Sequence, residues 1–136
     1  YGPGQRRSSL IPHIIDSLQG GDLECRSPHS RNDFIYIDDA VRAITEVIEK
    51  RPEGTVYNVG SGYSTEVLEV IRQIYESHGR DLDIDQLSNT SNSTNESKVD
   101  FWADINCISK DTGWMPEYSL KSGIEATLSG NLLGTK

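Results

Sequence analysis

Apolar residues fall along this chain in two rhythms. A spacing of three and four puts Leu10, Ile11, Ile14, Ile15 and Leu18 on one side of a predicted helix, with Ser8 or Ser9 before it and Gly20-Gly21 after it. Pro12 falls in its first turn, where the missing amide hydrogen costs nothing. The same spacing returns at Ala40, Val41, Ala43, Ile44, Val47 and Ile48, running to Lys50 before Pro52 and Gly54 stop it. It returns again at Val67, Leu68, Ile71, Ile74 and Tyr75, after a cap at Ser64 or Thr65 and before Gly79. Compact apolar runs predict strands at 34–37 and at 55–59, the second carrying Val56, Tyr57 and Val59. The first run ends in Asp38-Asp39, either of which suits an N-cap. A short strand is expected at 23–26, and a half-exposed one at 80–86, where acids alternate with Leu82 and Ile84. Further on, Asp104 caps a short helix ended by Gly113. Trp114-Met115-Pro116 then crosses with its backbone exposed, and Ser119 caps a last helix through Leu128. Strands alternating with helices predict a layered α/β domain.

The length of 136 residues suits one domain, and no repeat or linker divides 1–136. Residues 88–98 are all Ser, Asn, Thr, Glu or Lys, which predicts a mobile polar loop. Its sequons at Asn89, Asn92 and Asn95 follow from that composition alone. A net charge of −8 argues against nucleic acid and anionic membranes as partners. No apolar run approaches the roughly 18–20 residues of a membrane span. With no visible signal peptide and two isolated thiols, Cys25 and Cys107, the chain reads as cytoplasmic. It opens in mid-motif with Tyr1-Gly2-Pro3-Gly4 rather than with methionine, and reads as the carboxyl-terminal piece of something longer.

Local motifs carry no catalytic signature. Gly60-Ser61-Gly62 follows a predicted strand, opens a helix and precedes Asp83, much as a dinucleotide-binding loop would, but Thr65 holds the place of the third glycine. The plainer reading is a turn and cap. Asp81, Asp83 and Asp85 fail the calcium-loop pattern, with Gln86 and Asn92 where glycine and glutamate belong. His13, His29 and His78 have no partners at ligand spacing, so no metal is expected.

Six segments, taken in order, resemble the carboxyl-terminal half of the extended short-chain dehydrogenase/reductase family, the NAD(P)-dependent nucleotide-sugar epimerases and dehydratases. They are Tyr1-Gly-Pro-Gly, Leu10-Ile11-Pro12, Asn32 through Ala40, Tyr57 through Gly62, Ala103-Asp104-Ile105, and Gly113-Trp114-Met115-Pro116 with Ser119-Leu120. The resemblance implies the last strands of a doubly wound parallel, Rossmann-like sheet plus a small substrate-binding lobe. It implies a parent that uses NAD(P), with a Gly-rich loop and a Tyr-x-x-x-Lys pair in its amino-terminal half. Neither element is present here, so the chain alone is expected to bind no dinucleotide tightly and to have no catalytic residue. The resemblance places Tyr1, Gly2 and Pro3 beside the nicotinamide. It places Ser9 and Leu10 at the substrate diphosphate, and Glu24 and Cys25 along the nucleobase. The family's phosphate-gripping arginine stands directly before the Asp-Phe pair. Here that place holds Asn32, and Arg31 is one residue early, which a bulge at 30–32 would correct. The family's Arg-x-x-Asp pair is replaced by Thr94 and Ser97, with Lys98 close by. The implied partners are a nucleotide sugar and the missing dinucleotide-binding half, with a homodimer through an exposed sheet edge also open. Two further readings stand beside this one: a non-catalytic binding or assembly module that kept the fold, and an independent dinucleotide-binding domain using Gly60-Ser61-Gly62.

Overall fold

A computed structural model describes residues 1–20, 23–25, 27–54, 56–82, 87 and 100–133. In chain order the elements are α1 (Leu10–Ser17), β1 (Arg31–Asn32), α2 (Ile37–Lys50), β2 (Thr65–Glu66), α3 (Val67–Ser77), α4 (Asn106–Thr112) and α5 (Leu120–Leu133). The tract 88–98, its sequons and most of the 80–86 run lie outside the described residues, as does Arg26.

The helices match the apolar periodicity; Ser9 and Ser119 stand at predicted cap positions, while the starts of α2, α3 and α4 differ from the predicted caps. Ser9 is the N-cap of α1, and its hydroxyl makes no capping bond. The first two amides of α3 are met by carbonyls of the turn at 27–30, ahead of β1, Val67 N–H donating to Ser30 O (2.9 Å) and Leu68 N–H to Pro28 O (2.8 Å). Ser64 and Thr65 are therefore not needed as caps, and Glu66 holds that place. The chain enters α2 two residues ahead of a cap at Asp38. Tyr36 is its N-cap, and Asp38 and Asp39 sit in the first turn, where negative charge suits the helix dipole. Ile105 precedes α4, with Asp104 Oδ1 accepting from Asn106 N–H at 3.0 Å. Ser119 does cap α5, its Oγ accepting from Ser122 N–H at 3.1 Å, and that helix runs past Leu128 to Leu133. Arg51, in the left-handed region at φ 47°, ends α2, and Gly113 at φ 74° ends α4.

The expected parallel strands do not appear as ladders. Among the described residues the one sheet has two strands, β1 antiparallel to β2 with Arg31 opposite Glu66 and Asn32 opposite Thr65. Residues 23–25, 34–36 and 56–59 carry no ladder, because a strand needs a neighbour along its length for its backbone groups and the described residues supply only Tyr1, beside 34–36. Two traces of parallel pairing remain. One is a single bridge from Arg31 to Asp100. The other brackets Tyr1: its nitrogen donates to Ile35 O (2.7 Å), and Ile37 N–H donates to its carbonyl (2.8 Å). That alternation, to the residues on either side of Tyr36, is how one residue pairs in a parallel sheet.

Side chains pack in two clusters. The larger joins Ile11, Ile14 and Ile15 of α1 to Val70, Ile71 and Ile74 of α3 and to Ile124 of α5, with Cys25 and Leu87 also buried there. The smaller holds Ala43 of α2, Ile108 of α4 and Trp114. Trp114 is 1% exposed and Met115 51%, so the expected exposed crossing holds at Met115 and fails at Trp114. Its indole N–H reaches Asp39 O (3.2 Å), and the same aspartate's carboxylate accepts from Glu117 N–H and Tyr118 N–H, each at 2.9 Å. A buried carboxylate thus staples the start of α2 to the approach of α5, and Arg42 balances its charge at 2.7 Å.

Candidate functional site

The turn at Gly60-Ser61-Gly62 is already occupied. Asp33 Oδ1 accepts from Ser61 N–H (2.7 Å) and Ser61 Oγ–H (2.6 Å). Its Oδ2 accepts from Gly62 N–H (3.2 Å) and Ala103 N–H (3.0 Å). Gly62 has φ 84°, which glycine adopts freely, and a Cβ on Gly60 would overlap Asp33 Oδ2 and the Ala103 methyl. The amides that a pyrophosphate would need are given to a side chain of the same chain. The turn of the turn-and-cap reading describes this geometry, though the cap does not follow at Ser64 or Thr65, and these residues do not fit a dinucleotide. A cleft of about 450 Å³ opens beside the turn, between Asn58, Gly60 and the exposed Phe101 and Trp102, and it contains none of the residues predicted to bind substrate.

Those residues fall into two groups. Ser9 and Leu10 stand at the N-terminus of α1, and Leu10 and Leu23 pack on the same cluster that buries Cys25. This brings the α1 start and the 23–25 segment together. The Cys25 thiol faces the core and Glu24 faces solvent, so these two side chains point opposite ways. Tyr1 packs against the same cluster. Its ring meets Tyr36 edge-on at 5.7 Å, Tyr36 lies 4.5 Å from Tyr118, and Tyr1 Oη–H donates to Leu120 O at 3.1 Å. Burial first, then the nearby Tyr63, Tyr36 and Asp39, holds that hydroxyl well above the ordinary tyrosine range, so it stays protonated. Gly2 is buried against Ile37, where a Cβ would overlap the Ile37 side chain, while Pro3 is exposed.

Arg31 and Asn32 form the second group, on β1. Arg31 Nη2 donates to Ser64 O (2.8 Å) and Nε to Ser64 Oγ (3.2 Å), with Asp100 Oδ1 at 3.7 Å. The guanidinium is therefore held at the β1–β2 edge, and β1 pairs there in regular register. Asn32 is half-buried. Sequence reasoning passed over Arg6 and Arg7, two exposed cations just ahead of the α1 start, with Arg7 Nε 3.7 Å from Asp16. The signal was present as adjacent arginines two and three residues before Ser9.

The model of the NAD dependent epimerase/dehydratase family matches residues 1–60. CDP-abequose synthase of Salmonella typhimurium is 30% identical over 134 residues, covering 94% of this chain and 44% of that protein. The chain matches the NAD-dependent epimerase/dehydratase family. dTDP-glucose 4,6-dehydratase of Escherichia coli is 27% identical over 142 residues, covering 94% of this chain and 38% of that protein. UDP-glucuronic acid 4-epimerase of Bacillus cereus, solved in complex with NAD, superposes with a TM-score of 0.76 at 28% identity, covering 96% of this chain and 40% of that one. The family fold is α/β of the Rossmann type, and this chain spans about two-fifths of the length of the relatives it matches. Among the described residues no helix is long and apolar enough to cross a membrane.

Proposed function

We propose that this chain is the nucleotide-sugar-binding portion of an NAD(P)-dependent epimerase or dehydratase, and that it does not turn over substrate by itself. The occupied turn carries the reading. With the amides of Ser61 and Gly62 donated to Asp33, the described residues offer no cradle for the dinucleotide, and the cofactor belongs to a second half of the protein. When bound there, the nicotinamide supplies hydride transfer, and the groups on this chain bind and orient the sugar nucleotide. The relatives' names carry CDP-, dTDP- and UDP-linked sugars, so the ligand class is a nucleoside diphosphate sugar.

The diphosphate lies across the start of α1, where the Leu10 and Ile11 amides point outward and the dipole favours an anion. Arg6 and Arg7 flank it. Glu24 and the backbone at 25 border the base, and Tyr1, Gly2 and Pro3 border the nicotinamide supplied by the other half. Arg31 and Asn32 complete the phosphate side once Arg31 leaves Ser64. The hold of Ser64 and Asp100 on Arg31 favours the alternative, a non-catalytic binding or assembly module.

Calorimetric titration of CDP-, UDP- and dTDP-sugars separates the two. A charge-assisted phosphate contact contributes roughly 1.5–3 kcal/mol, so Arg31→Ala weakens binding about tenfold to a hundredfold if Arg31 grips the diphosphate. Equal affinity in both proteins removes Arg31 from the site. No binding in either favours the module. Turnover of a nucleotide sugar by the 136-residue chain with added NAD or NADP would overturn the claim of inactivity.

A further inference from the structure

Asp33 and Asp39 each join distant segments of the chain, and their carboxylates are held differently. Asp39 accepts from two amides and has the Arg42 guanidinium at 2.7 Å to balance its charge. Asp33 is held by neutral donors alone. Ser61 N–H (2.7 Å), Ser61 Oγ–H (2.6 Å), Gly62 N–H (3.2 Å) and Ala103 N–H (3.0 Å) converge on it, two on each oxygen. Among the described residues no lysine or arginine pairs with it. A carboxylate offers about four acceptor positions, so this one is filled. Consecutive amides in a turn with a left-handed residue, here Gly62 at φ 84°, form a concave nest of backbone dipoles that favours an anion. The walls stand close, because a Cβ on Gly60 would overlap both Asp33 Oδ2 and the Ala103 methyl. The space suits a flat three-atom group and is too narrow for a tetrahedral one.

We infer that the 61–62 turn and Ala103 form a receptor for one small planar carboxylate, that Asp33 is its built-in occupant, and that formate from solution takes the same place once the Asp33 side chain is removed. Two observations say that the receptor outlasts its occupant. All four donors belong to segments other than the one that carries the carboxylate, 28 and 70 positions along the chain. Beside the nest, Asn58 Nδ2–H donates to Asp104 O (3.3 Å), so these same two segments are also joined by a bond in which Asp33 has no part. The left-handed turn is preset as well, since glycine adopts that conformation freely. Selectivity follows from the donor set. Every group that faces the occupant is an N–H or O–H, so a ligand that brings donors of its own meets them head on, whereas a charged acceptor satisfies all four. The receptor stands independently of the function proposed above.

The test uses the 136-residue chain with Asp33→Gly, which clears the nest, and sodium formate, which carries the planar carboxylate and little else. Thermal unfolding is followed for variant and wild type in formate and in sodium chloride of equal ionic strength. For a dissociation constant on the order of 20 mM, about 0.2 M formate should raise the variant's midpoint by about 4–7 °C over chloride. The wild type, whose nest is full, should show no such gain. Formamide, planar but neutral and a donor, should not act on the variant, and sulfate should favour it no more than the wild type. In amide spectra of the variant, formate should shift Ser61, Gly62 and Ala103 and leave Val70 and Ile71 in place. If Asp33→Gly is unfolded by itself, formate should fold it, read as recovered helix content, and chloride should not. Asp33→Asn keeps the size of the side chain in the nest and should ignore formate. Equal formate gains in wild type and Asp33→Gly overturn the inference. So do formamide matching formate, a formate response in Asp33→Asn, and an Asp33→Gly chain that formate neither stabilises nor folds.

Discussion

Helices α2 and α3 read alike in sequence and end in different surroundings. Both place aliphatic residues three and four apart over at least three turns. In α3 the result is complete burial, with Val70, Ile71 and Ile74 at 0% exposure between α1 and α5. In α2 only Ala43 reaches that state, and Ile44 beside it is more than half exposed. Periodicity reports what a helix needs to bury. Whether the cover exists depends on the rest of the fold, and for α2 the described residues supply half of it.

This contrast can be attacked at several sites. The largest loss should come from Trp114→Ala, which removes the cover of the buried flank of α2 and its bond to Asp39 O. Deletions of this kind cost about 3–5 kcal/mol, read as a lower denaturant midpoint. Ile71→Ala in α3 should cost about 2–5 kcal/mol by the same measurement. Ile44→Ala should stay within about 0.5 kcal/mol, and equal losses at 44 and 71 would erase the distinction between the helices. Asp39→Ala leaves the Glu117 and Tyr118 amides and part of Arg42 without their acceptor, at about 1–3 kcal/mol, and should raise amide exchange in the first turn of α2 before it reaches α3.

A further effect is set by pH. Tyr1 ionises near pH 10 when unfolded, and its raised value in the fold means that the folded state keeps its proton longer. Its contribution is full below about pH 10 and is lost as pH rises. Tyr1→Phe should flatten the alkaline limb of the stability profile and cost about 1 kcal/mol at neutral pH for the bond to Leu120 O. A steeper limb in the variant would show that another group governs it.

The helices were legible because their apolar spacing is local information. Gly113 as the stop of α4 and Lys50 as the end of α2 could be read directly. Caps were less legible, since carbonyls of Pro28 and Ser30 meet the α3 amides, and no residue type signals a donated carbonyl. Strands failed for a different reason: a ladder is a property of two segments, and runs such as 56–59 describe only one. At the site, the absence of a third glycine pointed correctly to a turn at Gly60-Ser61-Gly62, while the acceptor that fills it, Asp33, lies 28 residues away. Arg31 was named from its place in a motif, but the partners that hold it, Ser64 and Asp100, are distant in sequence.

The Asp33 carboxylate also bears on how the protein can be re-engineered. It fixes Ala103 to Ser61 and Gly62, and Leu87 is fixed in the main core, so the chain between 87 and 103 is anchored at both ends by contacts that do not depend on its length. Closing a longer connection costs only about 0.6 kcal/mol for each doubling. A peptide epitope or a fluorophore-accepting tag spliced between Asn92 and Ser93 should therefore be carried at little cost to the fold.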